Sequence, residues 1–334
     1  MHSDVALVWL PARHGPGWSS AMGTATSMRG MPGSAGVVLA GGRSSRMGTP
    51  KAALEWHGST LLRRTVGILA RATGGPVVVV RAPGQELPEL PGHITIVDDP
   101  REGKGPVQGI AAGLNALRDR ADVAFVSSTD MPFLHPAFVR RVLSAVYAGA
   151  DVGLPIARGY PQPLAAAYRT TLADLAERLV REDRLRPAFL FEQCTVTRLD
   201  EAALKGDPVL AALDPGLDSV LNVNEPDDYA KARSQPAPEV TVQRFGVLAT
   251  ASAGPTATAT ATAAASATPT AGAAGRQPQI VRAATVADAA QAVGVDFAAG
   301  HVTAALNGDE ITRDGQTPLA AGDTVFFLSA DAGG

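Results

Sequence analysis

Apolar residues in this chain cluster in short, unbroken runs. Residues 36–40, 76–80, 93–97 and 123–127 are each dominated by Val, Ile, Leu, Ala or Phe. A strand with one wet face alternates apolar and polar positions; a strand covered on both faces does not. These runs therefore predict strands sealed on both sides. Between them, residues 60–73, 106–118 and 136–148 carry apolar side chains at helical spacing, and Pro106 suits a first helical turn. Residues 151–156, 164–168 and 219–224 predict further strands, and 226–233 a closing helix. Strands alternating with helices of this length predict an α/β domain with a mostly parallel sheet covered on both faces.

The pattern breaks at Pro236-Ala-Pro238 and then restarts. Residues 240–248 alternate like a half-buried strand. Residues 250–275 are almost entirely Ala, Thr, Ser, Gly and Pro, with no large apolar side chain to bury, which predicts flexibility. Because strand-like alternation precedes this tract, it is read as a long loop inside a second, small α+β domain rather than as the linker. That domain continues with a strand at 280–282, a helix at 286–293 and strands at 302–306 and 325–329. The expected organisation is a leader at 1–32, a first domain at 33–234 and a second at 239–334.

Composition narrows the classes. The chain has 334 residues, 46% of them hydrophobic and 18% charged, enough to bury two cores. Its net charge of -3 and lack of a long basic run argue against nucleic-acid binding. Its one cysteine, Cys194, precludes an internal disulfide and a cysteine-based zinc site. No apolar stretch approaches the roughly 20 residues that span a bilayer. The short run at 5–10 lacks the basic flank of a signal peptide, so a cytoplasmic location is expected.

The strongest chemical signal follows the first strand: Leu39-Ala-Gly-Gly-Arg-Ser-Ser-Arg-Met-Gly-Thr-Pro-Lys51. Glycines allow close backbone approach to an anion, and Arg43, Arg46 and Lys51 can neutralise a triphosphate. Neither the Walker A spacing nor the dinucleotide G-x-G-x-x-G is present. A tight turn with a solvated basic rim is the plainer alternative. The second signal is Ser127-Ser-Thr-Asp-Met-Pro132, where Asp130 lies past the carboxyl end of a buried strand. A carboxylate there suits Mg2+ shared with substrate phosphates, or else a helix cap. Lys51, Asp130 and Arg46 are the candidate catalytic groups.

The loop at 39–51 and Thr-Asp-Met-Pro at 129–132 resemble the molybdenum cofactor guanylyltransferase (MobA-like) family. Tyr160-Pro-Gln-Pro-Leu164 with Tyr168 is similar to its Q-P-L-x-x-x-Y stretch, and Asn222-Val-Asn224-Glu-Pro226 to its N-x-N-x-P ending. The resemblance covers roughly 36–232. It implies a Rossmann-like nucleotidyltransferase that joins GTP and molybdopterin, with Mg2+, and releases pyrophosphate. Residue by residue, it implies nucleotide contacts at Leu39, Ala40, Gly41, Gly42 and Lys51, a guanine-site acid at Asp99 and a metal ligand at Asp130. Gln162, Asn222 and Asn224 would face the pterin acceptor; turn formation is the alternative for both asparagines. Pro50 stands where the family usually has Asp, and Arg81 where it tends to have Asn. Proline is common there in cytidylyltransferases, so a CTP-dependent enzyme is the alternative branch.

In the second domain, Leu306-Asn-Gly308, Pro318-Leu-Ala-Ala-Gly-Asp323 and the final Gly333-Gly334 resemble the MoaD-like small subunit of molybdopterin synthase. That family has a ubiquitin-like (β-grasp) fold and carries sulfur on its terminal carboxylate. The implied partners are a ubiquitin-activating-type adenylyltransferase and the large synthase subunit. The tail lacks the family's usual prolines, and the loop at 250–275 is longer than usual. A non-catalytic carrier or assembly protein is the alternative from another class; Lys51 and Asp130 speak against it.

Overall fold

The computed structural model describes residues 30–41, 50–100, 105–245, 248 and 277–329. The expectations for most of the leader, for Gly42, Arg43 and Arg46, for the tract 250–275 and for Gly333 and Gly334 lie outside the described residues.

The first strand among the described residues is β1 (Ser34–Leu39). A 3-10 turn at Lys51–Ala53 leads into a small hairpin, β2 (Glu55–Trp56) and β3 (Ser59–Thr60), and then α1 (Leu61–Thr73). Thr60 starts α1 by accepting a hydrogen bond from the Arg63 amide, and Gly74 at φ 69° ends it. Next come β4 (Val77–Arg81), β5 (Thr95–Asp98), α2 (Pro106–Ala116), β6 (Val123–Ser128) and α3 (Pro136–Tyr147). β7 (Val152–Ala157), β8 (Tyr160–Pro161) and β9 (Ala165–Arg169) follow. α4 (Ala173–Arg181), α5 (Pro187–Phe191), β10 (Val196–Leu199), α6 (Glu201–Lys205), α7 (Pro208–Leu213) and α8 (Pro226–Arg233) complete the unit.

The sheet runs β10-β7-β9-β6-β1-β4-β5, with β8 paired to β7. All neighbours are parallel except those made by β8 and β9. The unbroken valine runs follow from this. Val38 and Val79 enter the core shared with α1 and α3, while Val37, Val78 and Val80 enter the core shared with α2 and α4. In α2, a Cβ on Gly113 would come within 2.4 Å of the Val37 side chain, so the missing side chain lets helix and sheet touch.

The strand expected at 219–224 does not form. Asp218–Val220 is a 3-10 turn, held by the Asp214 carboxylate, which accepts from the Asp218 and Ser219 amides at 2.6 and 3.1 Å. The extended residues that follow donate from the Val223 amide to the Asp130 carbonyl at 2.8 Å, not to a strand. α4 to α7 and β10 escaped the sequence reading because four of these five are short and their apolar positions too few to set a period.

The second unit comprises β11 (Glu239–Arg244), β12 (Gln279–Arg282), α9 (Val286–Ala292), β13 (Val302–Leu306), β14 (Glu310–Thr312) and β15 (Thr324–Ser329). These strands form a separate sheet, β12-β11-β15-β13-β14. Its central pair, β11 and β15, is parallel; every other pair is antiparallel. β11 and β12 are partners in register, so the chain between them joins two strands of one sheet. α9 starts with a capping box, Thr285 and Asp288, and covers a core that includes Val240, Val325 and Phe327. Asn307 and Gly308, both at positive φ, turn the chain between β13 and β14.

The two units meet along α1. Arg71 donates from both terminal nitrogens to Asp323, at 2.9 and 2.7 Å, and from one of them to the Pro318 carbonyl at 2.7 Å. Asp323 also accepts from Asn307 at 2.9 Å and from the Ala320 amide at 2.7 Å. Thus the Asn-Gly turn and the Pro318 to Asp323 segment hold one buried carboxylate on a helix of the first unit. Gly67 allows the approach: a Cβ there would lie 2.5 Å from the Pro318 ring. Among the described residues, no helix is long and apolar enough to cross a membrane.

Candidate active site

Strands β1, β4 and β6 of a parallel sheet end side by side, and their carboxyl ends open onto one crevice, the usual place for a ligand in such sheets. A cavity of about 530 Å³ lies there, with Leu39, Ala40 and Gly41 on one wall and Ser128, Thr129 and Asp130 on another. Lys51 and Pro50 border it on the side of the 3-10 turn, and Asp99 on the side of β5. Gly105 and Pro106, at the start of α2, also line it. The helix therefore opens toward the cavity, with its N-terminal amides favouring an anion.

Lys51 and Asp130, 79 residues apart in sequence, form an ion pair of 3.1 Å. The Lys51 ammonium also donates to the Asn224 side-chain oxygen at 2.8 Å. The other Asp130 oxygen accepts from the Ser128 hydroxyl. Side-chain exposures of 22% and 17% leave this pair within reach of solvent and of a ligand. One cation, one carboxylate and one carboxamide thus converge at the cavity. Among the described residues no three acidic, His or Cys side chains form a metal-binding group. Mg2+ needs no such cluster, since it binds through one or two carboxylates plus substrate phosphates and retained water.

Of the other expected site residues, Asp99 lines the cavity, donates its amide to the Arg81 carbonyl at 2.7 Å and accepts from Gln108. Arg81 itself pairs with Asp98 at 2.7 Å. Asn224 accepts from Lys51, and both Asn222 and Asn224 are exposed. Gln162 uses its amide group on the Ala157 and Tyr160 carbonyls at 3.2 and 3.3 Å, which ties the β7–β8 hairpin. Its neighbour Leu164 does line the cavity. Tyr168 is fully buried and donates to the Pro163 carbonyl at 2.7 Å, so this tyrosine holds the turn that carries Leu164. Burial also pushes the Cys194 thiol up to about 11, which suits a packing role rather than a nucleophile.

Gln85 was not anticipated. Its side chain donates to the Ala40 carbonyl and accepts from the Ala82 amide, both at 3.0 Å, and so ties the end of β1 to the segment after β4. A glutamine in a Pro-Gly turn carries no local mark of such a contact.

Comparison with known proteins finds relatives of the first unit. A family model described as a MobA-like NTP transferase domain matches residues 36–196. A protein of Mycobacterium tuberculosis, named "Probable molybdenum cofactor guanylyltransferase", is 40% identical over 169 residues, covering 49% of this chain and 82% of that protein. A Bacillus cereus protein of the same name is 30% identical over 201 residues, covering 60% of this chain and 95% of that protein. The crystal structure of molybdopterin-guanine dinucleotide biosynthesis protein A from Archaeoglobus fulgidus is 26% identical. It covers 60% of this chain and 96% of that chain with a TM-score of 0.46.

Proposed function

We infer that this chain, which belongs to the MobA-like NTP transferase family, transfers a guanylyl group from GTP to the phosphate of molybdopterin. The observation that carries this reading is the meeting of Lys51 with Asp130 and Asn224, at 3.1 and 2.8 Å, beside the cavity bounded by Leu39, Ala40 and Gly41. In the reaction an acceptor phosphate oxygen attacks the α-phosphorus. The bond from that phosphorus to its bridging oxygen breaks, and the electron pair leaves on pyrophosphate. Negative charge grows on the bridging oxygen and shifts over the α-phosphoryl oxygens. The Lys51 ammonium lies where it can offset that charge without moving far, which is where preorganised electrostatics contributes most.

Asp130 fits a magnesium ion, with Ser128 already orienting one carboxylate oxygen. The ion, when bound, neutralises triphosphate charge. The Lys51 ammonium would bind phosphate oxygens in place of that carboxylate, with Asn224 beside it. Arg46 supplies a second cation from the glycine-rich loop in this reading. Asp99 accepts from guanine N–H groups, and Leu39, Ala40 and Gly41 present their backbone to the nucleotide. Gln162, Asn222 and Asn224 are assigned to the pterin side from their sequence motifs. The test is pyrophosphate release with each of the four nucleoside triphosphates and molybdopterin. Turnover with GTP well above CTP supports the reading. A strong CTP preference moves the chain to the cytidylyl branch, consistent with Pro50.

The order of the second sheet, with its first and last strands parallel at the centre, favours a second reading for residues 239–334: a β-grasp sulfur carrier for molybdopterin synthesis. Its partners would be an adenylating enzyme of the ubiquitin-activating type and a large synthase subunit, acting on Gly334. Incubation with such an enzyme, ATP and a sulfur donor should exchange one oxygen for sulfur in the intact mass. No change beside a working control carrier rejects it.

A further inference from the structure

Arg64 joins three parts of the molecule. It projects from α1, has a relative exposure of 8%, and among the described residues is hydrogen-bonded to no carboxylate. Its Nε donates to the Pro132 carbonyl at 2.6 Å, two residues after Asp130. Its Nη1 donates to the Leu319 carbonyl of the second unit at 3.1 Å. His135 repeats the connection one turn further on. Its Nδ1 accepts from the Ala137 amide at 3.1 Å, so the proton sits on Nε2, which donates to the Ala321 carbonyl at 3.0 Å. The segment from Pro132 to His135, which follows Asp130, is thus held at both ends by groups bonded to the second unit's 318–323 segment. Two residues before the first grip, the Asp130 carbonyl accepts from the amide of Val223, the residue before Asn224, at 2.8 Å.

We propose that the second unit acts in cis as a positioning element for the Asp130 loop, with Arg64 as the main positioning residue. This rests on the assignment of Asp130 to the nucleotidyl-transfer site. A planar guanidinium with two carbonyls in its fork sets the spacing between docking segment and catalytic loop; an ammonium cannot span both. Displacement of the docking segment is therefore felt first at Asp130 and Asn224, whereas Leu39, Ala40 and Gly41 are held by the sheet, with Leu39 paired to Ser128 and the Ala40 and Gly41 amides bonded to the Val80 carbonyl. The expected signature is a change in metal dependence with little change in nucleotide affinity.

The experiment uses the full chain and measures GTP turnover against magnesium concentration. Arg64→Met keeps length and volume but removes both bonds; Arg64→Lys keeps the charge. Gly67→Ala perturbs docking without touching Arg64 or the cavity, since its new Cβ would strike the Pro318 ring at 2.5 Å. Pro318→Ala removes that ring and should relieve the clash. Arg64→Met and Gly67→Ala should each raise the half-saturating magnesium concentration on the order of tenfold, because small misplacements of reacting groups cost about that much or more. Gly67→Ala with Pro318→Ala should return toward the parent value. Should Arg64→Met fail to fold, the Gly67 and Pro318 pair carries the test. Folded Gly67→Ala with unchanged magnesium dependence overturns the coupling. Asp130→Asn in the same series separates the two ideas: if it leaves magnesium dependence unchanged, the site assignment falls and the coupling with it. If it shifts that dependence to higher magnesium while the docking variants are silent, only the coupling falls.

Discussion

Two ion pairs, Lys51–Asp130 and Arg71–Asp323, link distant parts of the chain, and their surroundings differ sharply. Lys51 and Asp130 keep side-chain exposures of 22% and 17%, and Lys51 has a second, neutral partner in Asn224. Arg71 and Asp323 are 4% and 0% exposed, and the carboxylate is saturated by Arg71, Asn307 and the Ala320 amide. Burial alone would push the Asp323 carboxyl up. The opposing attraction and hydrogen bonds of Arg71 and the bonds from Asn307 and Ala320 outweigh it and hold the group below its ordinary value. One pair can be opened by an arriving triphosphate. The other, opened without replacement, leaves a charge in a dry interface. The first is therefore suited to chemistry and the second to keeping the two units together.

The largest expected effect tests the sealed pair. Arg71→Met strands the Asp323 charge, and such losses cost about 3–5 kcal/mol of stability. Denaturant melts should record that loss; a melt within about 1 kcal/mol of the parent would mean that the interface is wetter than its geometry implies. At the open pair, Lys51→Ala should leave the melt nearly unchanged and lower turnover by about 100-fold, or about 2.7 kcal/mol. Near-parental pyrophosphate release would remove Lys51 from the chemistry. Asp130→Asn should give a steep loss that excess magnesium partly restores, because a carboxamide keeps the shape but is a poorer ligand for a hard cation. An unchanged magnesium titration would assign that carboxylate another task.

The smallest effect concerns pH. Burial holds the His135 imidazole below its ordinary value of 6.5, so it is neutral in the folded protein. Asp323 and Asp214 oppose the shift, and Arg71 adds to it. An unfolded chain takes up the proton more readily, so stability is full above about 6.5 and erodes on acidification through the lowered value. The melting temperature should fall on acidification in this range, and His135→Gln should flatten the decline. An identical slope in that variant would shift the effect to other groups, such as His57, which burial also lowers.

Much of the first unit is legible in the residues. The runs around Val37, Val78 and Phe125 required strands covered on both faces, and Thr60, Gly74, Pro106 and Pro226 mark helix ends by their backbone chemistry. Lys51 and Asp130 could be picked out because glycine-rich turns and strand ends are where backbone groups and charges meet ligands, whereas Asp99 stands out only through the family resemblance. The misreading at 219–224 has the same origin as the successes: extended residues look alike whether they pair with a strand or, like Val223, with a loop. Gln85 and Arg64 carried no signal, since a glutamine in a turn and an arginine in a helix are ordinary residues until their partners are known.

The sequence by itself determined the long buried strands and the helices between them up to α3, which faces are apolar, and which loops have the charge and glycine content to hold a triphosphate. Those are local properties, set by backbone sterics and by the period of side chains along each element. Only the tertiary structure decided that Lys51 reaches Asn224 across 173 residues, that Asp323 is buried against Arg71, and that Arg64 spans Pro132 and Leu319. Periodicity states that a face must be covered; it does not state by what. A polar side chain's partner is set by how the elements stack, and that is fixed by the summed packing of the cores rather than by any one residue.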